Sequence, residues 1–245
     1  MTLPVSLPHT LWLEAGTTAF VYLPKVACTS WKLFFAQALH GALPADLAYR
    51  TVHDPAALQL PLVGAMVPER QRAFAQQLDA GEIALVAMVR EPRQRVLSAY
   101  LDKIVHPPNP QSYFALEVRP AIQRQHGLAA DATPSFLQFL QWLAAGTHPG
   151  CRNDHWQPMS QLLGLEQQPI SHYQHLWRLD QIPQAAAELN RRLGTAIPFP
   201  GFEALGPRRS SGSQALLAQA FAEPALSSLF DQLYARDREI YAALA

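Results

Sequence analysis

Between Pro24 and Lys32 the chain reads PKVACTSWK, so that Lys25 and Lys32 bracket Val26, Ala27, Cys28, Thr29, Ser30 and Trp31. Hydroxyls give short directional hydrogen bonds and ammonium groups give mobile positive charge, a combination suited to a polyanion. Further along, VREPRQRVLSAY places Arg90 eight residues before Ser98. A guanidinium forks onto phosphate oxygens and a serine hydroxyl adds one more donor, so this run suits a second phosphate. Taken alone, Lys25 also fits a solvated turn lysine, and Thr29 or Ser30 a helix cap. The two runs together favour a ligand carrying anionic groups at two places.

Both runs sit where a sheet would present them. Residues 19–23, AFVYL, form a continuous apolar stretch before Pro24, and WKLFFAQALHG then reads as a helix closed by Gly41. The pattern recurs in IALVAMV at 83–89, followed by Arg90, Glu91 and a helix opening at Pro92. Two strand-turn-helix units predict a parallel α/β sheet, whose ligands bind beyond the carboxyl ends of the strands. The backbone amides from Lys25 to Lys32 would then face an anion at a helix N-terminus. No glycine lies between Pro24 and Lys32 and GxxxxGK[ST] is absent, so the turn is not a nucleoside-triphosphate loop of the Walker type.

The rest of the chain supplies supporting elements. ERQRAFAQQLDAG predicts a helix ended by Gly81, and Pro134 to Ala145 another before Gly146. HPPNP at 106–110 stops the helix that begins at Pro92. SHYQHLWRL holds a strand, AAAELNRRLG a helix, and the apolar positions Leu226, Leu229, Phe230, Leu233, Tyr234 and Tyr241 one final helix.

At 245 residues, with 49% hydrophobic and 16% charged residues, the expectation is one globular domain spanning 1–245. Basic and acidic residues both number 19, which excludes a global field recruiting nucleic acid. No run of about 18 apolar residues exists to span a membrane, and the first residues lack a signal-peptide pattern, so a cytoplasmic protein is expected. Cys28 and Cys151 read as free thiols, and no metal-ligand spacing appears.

PKVACTSWK and MVREPRQRVLSAYLDKI resemble, in order and position, the two donor-binding motifs of the Golgi carbohydrate sulfotransferases acting on chondroitin, dermatan and the HNK-type glycan. NDHWQPMSQL is similar to that family's HWxPQ segment, YQHLWRLDQI to its Y-x-F-[IV]-G-K-x-E-x-L segment, and LFDQLYARDREIYA to its closing Y-x-x-D helix. The resemblance implies a three-layer α/β sandwich with a central parallel sheet and a P-loop-like turn. It implies 3′-phosphoadenosine 5′-phosphosulfate (PAPS) as donor, without a metal, and sulfation of a carbohydrate-like or small-molecule hydroxyl. By motif, Lys25, Thr29, Ser30, Trp31 and Lys32, with the backbone of Val26, Ala27 and Cys28, would hold the 5′-phosphosulfate; Arg90 and Ser98 would hold the 3′-phosphate. The cysteines that follow the HW segment in the animal enzymes are replaced by QLLGLEQQ, and anchor and stem are missing, so the expectation is a soluble, bacterial relative.

Lys25 is the expected electrostatic catalyst. For the base that takes the acceptor proton, His53, between the two donor motifs, is favoured, with His155 of the HW segment as the second candidate and Glu69 and Asp54 as carboxylate alternatives. Arg208 and Arg209 mark a basic segment suited to closing over the donor, or to a solvated loop. Trp156 and Trp177 suit stacking on a ligand or core packing. Two other readings remain open: an ATP-dependent phosphotransferase on a similar scaffold, and a non-catalytic nucleotide-binding protein.

Overall fold

The computed structural model describes residues 9–41, 52, 56–107, 109–200 and 213–244, the side chains of 213–215 aside. In chain order the elements are β1 (Thr10–Leu13), β2 (Thr18–Val21), α1 (Cys28–His40), α2 (Pro68–Asp79), β3 (Ala84–Val89) and α3 (Pro92–Tyr100). They continue with α4 (Arg119–His126), α5 (Phe136–Ala145), α6 (Met159–Leu162), β4 (His175–Arg178), α7 (Ile182–Leu193), α8 (Ser213–Phe221), α9 (Pro224–Leu233) and α10 (Ala235–Ala242). The chain divides into two compact units, one drawn from Met1–Val89 and Met159–Arg209 and the other from Arg90–Pro158 and Ser210–Ala243.

The first unit carries one four-stranded sheet in the order β1-β2-β3-β4. The β2–β3 and β3–β4 pairs are parallel, with Phe20 opposite Val86 and Val86 opposite His175, as two strand-turn-helix units require. The α/β expectation is borne out. The edge is different: β1 pairs antiparallel with β2 through a tight hairpin. Four residues buried on both faces leave no alternation by which TLWL would read as a strand. In the hairpin, a Cβ on Gly16 would stand 3.1 Å from the Arg192 carbonyl oxygen at the end of α7, a tight approach that favours glycine. Trp12 packs on Phe74 of α2, and Phe20 on Trp31 and Phe35 of α1, which is how continuous apolar strands are covered by helices.

The second unit is helical. Val96, Leu97 and Tyr100 of α3, Phe139, Leu140 and Trp142 of α5, Trp156, and Phe230 and Tyr234 form one buried cluster. α5 opens with a capping box between Ser135 and Gln138 and ends at Gly146, matching the sequence expectation within two residues. Tyr100 donates to the Pro134 carbonyl at 2.7 Å, and burial pushes its phenol up to about 12.

Two helices depart from the sequence reading. Past Tyr100 the α3 helix widens into a π-turn at Leu101–Val105, where the His106 amide reaches the Leu101 carbonyl; a second π-turn covers Phe114–Val118, closed by the Arg119 amide on Phe114. The single final helix is two, broken at Tyr234 (φ −128°, ψ 24°), whose hydroxyl donates to the Trp156 carbonyl at 2.6 Å. Among the described residues, no helix is long and apolar enough to cross a membrane.

Candidate functional site

The turn after β2 is built from left-handed residues that are not glycine. Lys25 has φ 68° and Ala27 φ 53°, a region that costs a Cβ-bearing residue about 1–2 kcal/mol. Ala27 is also the N-cap of α1, and no side chain caps that helix. The first amides of a helix have no partner within it, and left-handed residues beside a helix start gather successive N–H groups into an anion-binding concavity. Glycines do this in the Walker loop; here strained residues do. Strain held at such a turn points to function.

The side chains divide. Ser30 is fully buried, and its hydroxyl finds no hydrogen-bond partner among the described residues. Thr29 is buried, with its hydroxyl 4.0 Å from the Cys28 thiol. Lys32 is also buried, its Nζ 4.7 Å from the centre of the Tyr22 ring. Lys25 is partly exposed. The Trp31 ring is turned into the core, packed by Phe20, Phe34, Phe35 and Phe199, which leaves only its backbone for a donor. An orphaned hydroxyl at an uncapped helix start fits an oxyanion.

Ala27→Gly tests the strain directly. Glycine adopts φ 53° without penalty, so the variant unfolds about 2–4 °C higher in a thermal melt, the equivalent of about 1 kcal/mol. A lower melting temperature would show that Ala27 is not held left-handed.

In the second unit, Arg90 follows β3 and the Glu91 carboxylate caps α3, accepting from the Arg93 amide at 3.1 Å and the Gln94 amide at 2.7 Å. The α3 amides are therefore engaged, and an anion here must rely on side chains. Burial pulls the Arg90 guanidinium below its ordinary pKa; Glu91 opposes this, Arg95 adds to it, and Tyr241 opposes it again. A desolvated cation gains most from an anionic partner. Ser98 lies partly buried in the second turn of α3.

His155 lies in the second unit, its Nδ1 2.7 Å from Asn153 Oδ1 and 3.2 Å from Asp154 Oδ1. Glu69 is exposed on α2 and ion-paired with Arg72, a solvated surface contact. His53, Asp54, Arg208 and Arg209 lie outside the described residues. Trp156 is core, donating to the Gly150 carbonyl at 2.9 Å; Trp177 is buried and stacked on His175 with ring centres 5.0 Å apart. Among the described residues no three or more His, Cys, Asp or Glu gather as a metal would need.

Sequence reasoning overlooks Arg95. It is fully buried, donating to the Gln157 and Asp154 carbonyls at 2.8 Å each, and so pins the strand of chain on either side of His155. The signal was present: Pro92, Arg95, Val96 and Ala99 share the buried stripe of α3 at helical spacing.

A model described as the sulfotransferase family matches residues 14–242. Carbohydrate sulfotransferase 14 of Homo sapiens is 29% identical over 162 residues, covering 64% of this chain and 39% of its own. The Danio rerio protein of the same name is 28% identical over 203 residues, with 79% and 51% covered. Carbohydrate sulfotransferase 10 of Pongo abelii is 29% identical over 139 residues, with 53% and 36% covered. The chain thus spans about half or less of the length of these relatives. No solved structure matches it.

Proposed function

Because the chain belongs to the sulfotransferase family, we propose that it transfers a sulfuryl group from PAPS to a hydroxyl of a carbohydrate-like or small-molecule acceptor. The observation that carries this reading is the turn before α1: two strained left-handed residues, an uncapped helix start, and the buried, unpartnered hydroxyl of Ser30. The relatives' names point to carbohydrate, and carbohydrate is the acceptor class we favour. The match over 14–242 supports one sulfotransferase domain comprising both units. A cytoplasmic location belongs to the same proposal, supported by Cys28 and Cys151 both being free thiols.

When bound, PAPS supplies an activated sulfuryl group whose S–O bond to the nucleotide breaks as one to the acceptor oxygen forms. The turn amides, Thr29, Ser30 and Lys32 hold the 5′ end against the pull of water. Lys25, at the exposed edge of that turn, balances charge that builds on the leaving oxygen. Arg90 and Ser98 hold the 3′-phosphate, which identifies the nucleotide. His155 takes the acceptor proton. The products are a sulfate ester, adenosine 3′,5′-bisphosphate and a proton.

Thermal stabilisation tests the donor. Adenosine 3′,5′-bisphosphate at about a hundred times its Kd adds about 2.7 kcal/mol to stability, and ATP with magnesium adds less. Arg90→Ala weakens bisphosphate binding about 10–100-fold, the worth of a hydrogen bond to a charged group. Stabilisation by ATP with magnesium and not by the bisphosphate would overturn the donor assignment. Unchanged bisphosphate binding in Arg90→Ala would remove Arg90 from it.

A further inference from the structure

We infer that Asn153 and Asp154 are positioning residues that hold the neutral His155 ring with its proton on Nδ1 and its lone pair on Nε2, the nitrogen a base would use. The inference rests on the reading of His155 as the base. It concerns how that base is prepared.

Three contacts settle the proton. Asn153 Oδ1 accepts the backbone amide of His155 at 3.1 Å, and an N–H must donate, so the atom there is the amide oxygen and not its nitrogen. The same oxygen lies 2.7 Å from His155 Nδ1. An amide oxygen cannot donate, so Nδ1 carries the hydrogen. Asp154 Oδ1, 3.2 Å from the same nitrogen, is a second acceptor and stabilises the ring when it is doubly protonated. The neutral ring is left with its lone pair on Nε2, the form a general base needs.

The ring is also held in place. Phe114 meets it edge to face with centroids 5.3 Å apart, and the Lys103 Nζ lies over the Phe114 ring, 5.2 Å from its centre. Lys103 is itself paired with Asp102 at 3.1 Å, and the charged groups near the imidazole among the described residues include Asp154 beside it and this pair on Phe114. Beneath the ring, the carbonyls of Asp154 and Gln157 are fixed by Arg95 and that of Trp156 by Tyr234. A base on so constrained a turn keeps its aim to within a fraction of an ångström.

The experiment reads the tautomer directly, by long-range proton–nitrogen correlation spectra of the full chain labelled in its histidines, with the His155 signal assigned through His155→Asn. Above its titration the wild-type ring shows protonated Nδ1 and bare Nε2. Asn153→Asp keeps both acceptor contacts and adds a negative charge, so the ring titrates about one pH unit higher. Asp154→Asn removes a charge and the midpoint falls. A merely structural role would leave both midpoints where they are. Protonated Nε2 in the wild type, or midpoints unmoved in both variants, overturns the inference. A separate assay follows bisphosphate release from PAPS with a panel of hexosamine- and uronic-acid-containing oligosaccharides. Full activity in His155→Ala would overturn the reading of His155 as the base, and with it the purpose assigned to the two neighbours; lost activity with the expected spectra supports both.

Discussion

Lys25→Ala lowers turnover about 10²–10³-fold while the affinity for adenosine 3′,5′-bisphosphate stays within about threefold. The magnitude is that of removing one preorganised charge-stabilising donor from a transfer reaction. The split between turnover and binding follows from where the charge appears. The bisphosphate already carries its full negative charge in the ground state, and in the proposed binding mode the turn amides, Ser30 and Arg90 hold it there. The extra charge on the leaving oxygen exists only as the S–O bond breaks, and a cation aimed at it contributes chiefly to kcat. The backbone does not confuse the result, because lysine and alanine both bear a Cβ and pay alike for φ 68°. Single-turnover release from labelled PAPS and calorimetric titration with the bisphosphate check the two halves. Equal losses in both would make Lys25 a binding residue, and no loss in either a solvated turn lysine.

Arg95→Met destabilises the chain by about 3–5 kcal/mol, read as a fall of about 10 °C in the thermal midpoint. The guanidinium is wholly buried and satisfies two carbonyls at once; methionine fills the volume and satisfies neither. Two part-buried carbonyl oxygens lose their donors, and each such loss costs about 1–3 kcal/mol. Arg95→Lys recovers only part, since a single ammonium on a shorter side chain does not fork to two acceptors. The exposed Arg72 provides the contrast: Arg72→Ala removes an ion pair to Glu69 in water and changes stability by less than about 1 kcal/mol. Chemical denaturation of the three variants checks the order, and a stability loss in Arg95→Met no larger than in Arg72→Ala would show that the carbonyls find water instead.

The strand-turn-helix units were legible because their signals are local. AFVYL and IALVAMV are apolar on both faces, Pro92 stands at a helix start, and Gly81, Gly146 and Gly194 follow helix ends, so β2, β3, α2, α3, α5 and α7 fall where the residues put them. The break at Tyr234 was not legible: the apolar spacing runs straight through it, and what interrupts the helix goes with a hydrogen bond to Trp156, 78 residues away in the chain. β1 was hidden by its shortness. In the candidate site, Lys25, Ser30, Arg90 and Ser98 stood out by residue type. The left-handed backbone at Lys25 and Ala27 did not, because lysine and alanine seldom adopt it and nothing in PKVACTSWK announces it. Arg95 drew no notice among the charges of PRQR, and only its place on the buried stripe of α3 distinguishes it. The orientation of His155 depends on distances of tenths of an ångström to Asn153, which residue order does not encode.

The two π-turns at Leu101–Val105 and Phe114–Val118 each close on the fifth residue instead of the fourth. Each therefore holds one surplus residue at the end of one helix, the first after α3 and the second before α4, and a wide turn of this kind is where an insertion is absorbed. In an alignment of relatives these are the places for a one-residue gap, and because Lys103 lies in the first turn and Phe114 opens the second, a gap at either resets the contacts of Phe114 with His155 and of Lys103 with Phe114. At these two turns it is the length of the chain, more than the kind of residue, that is free to vary.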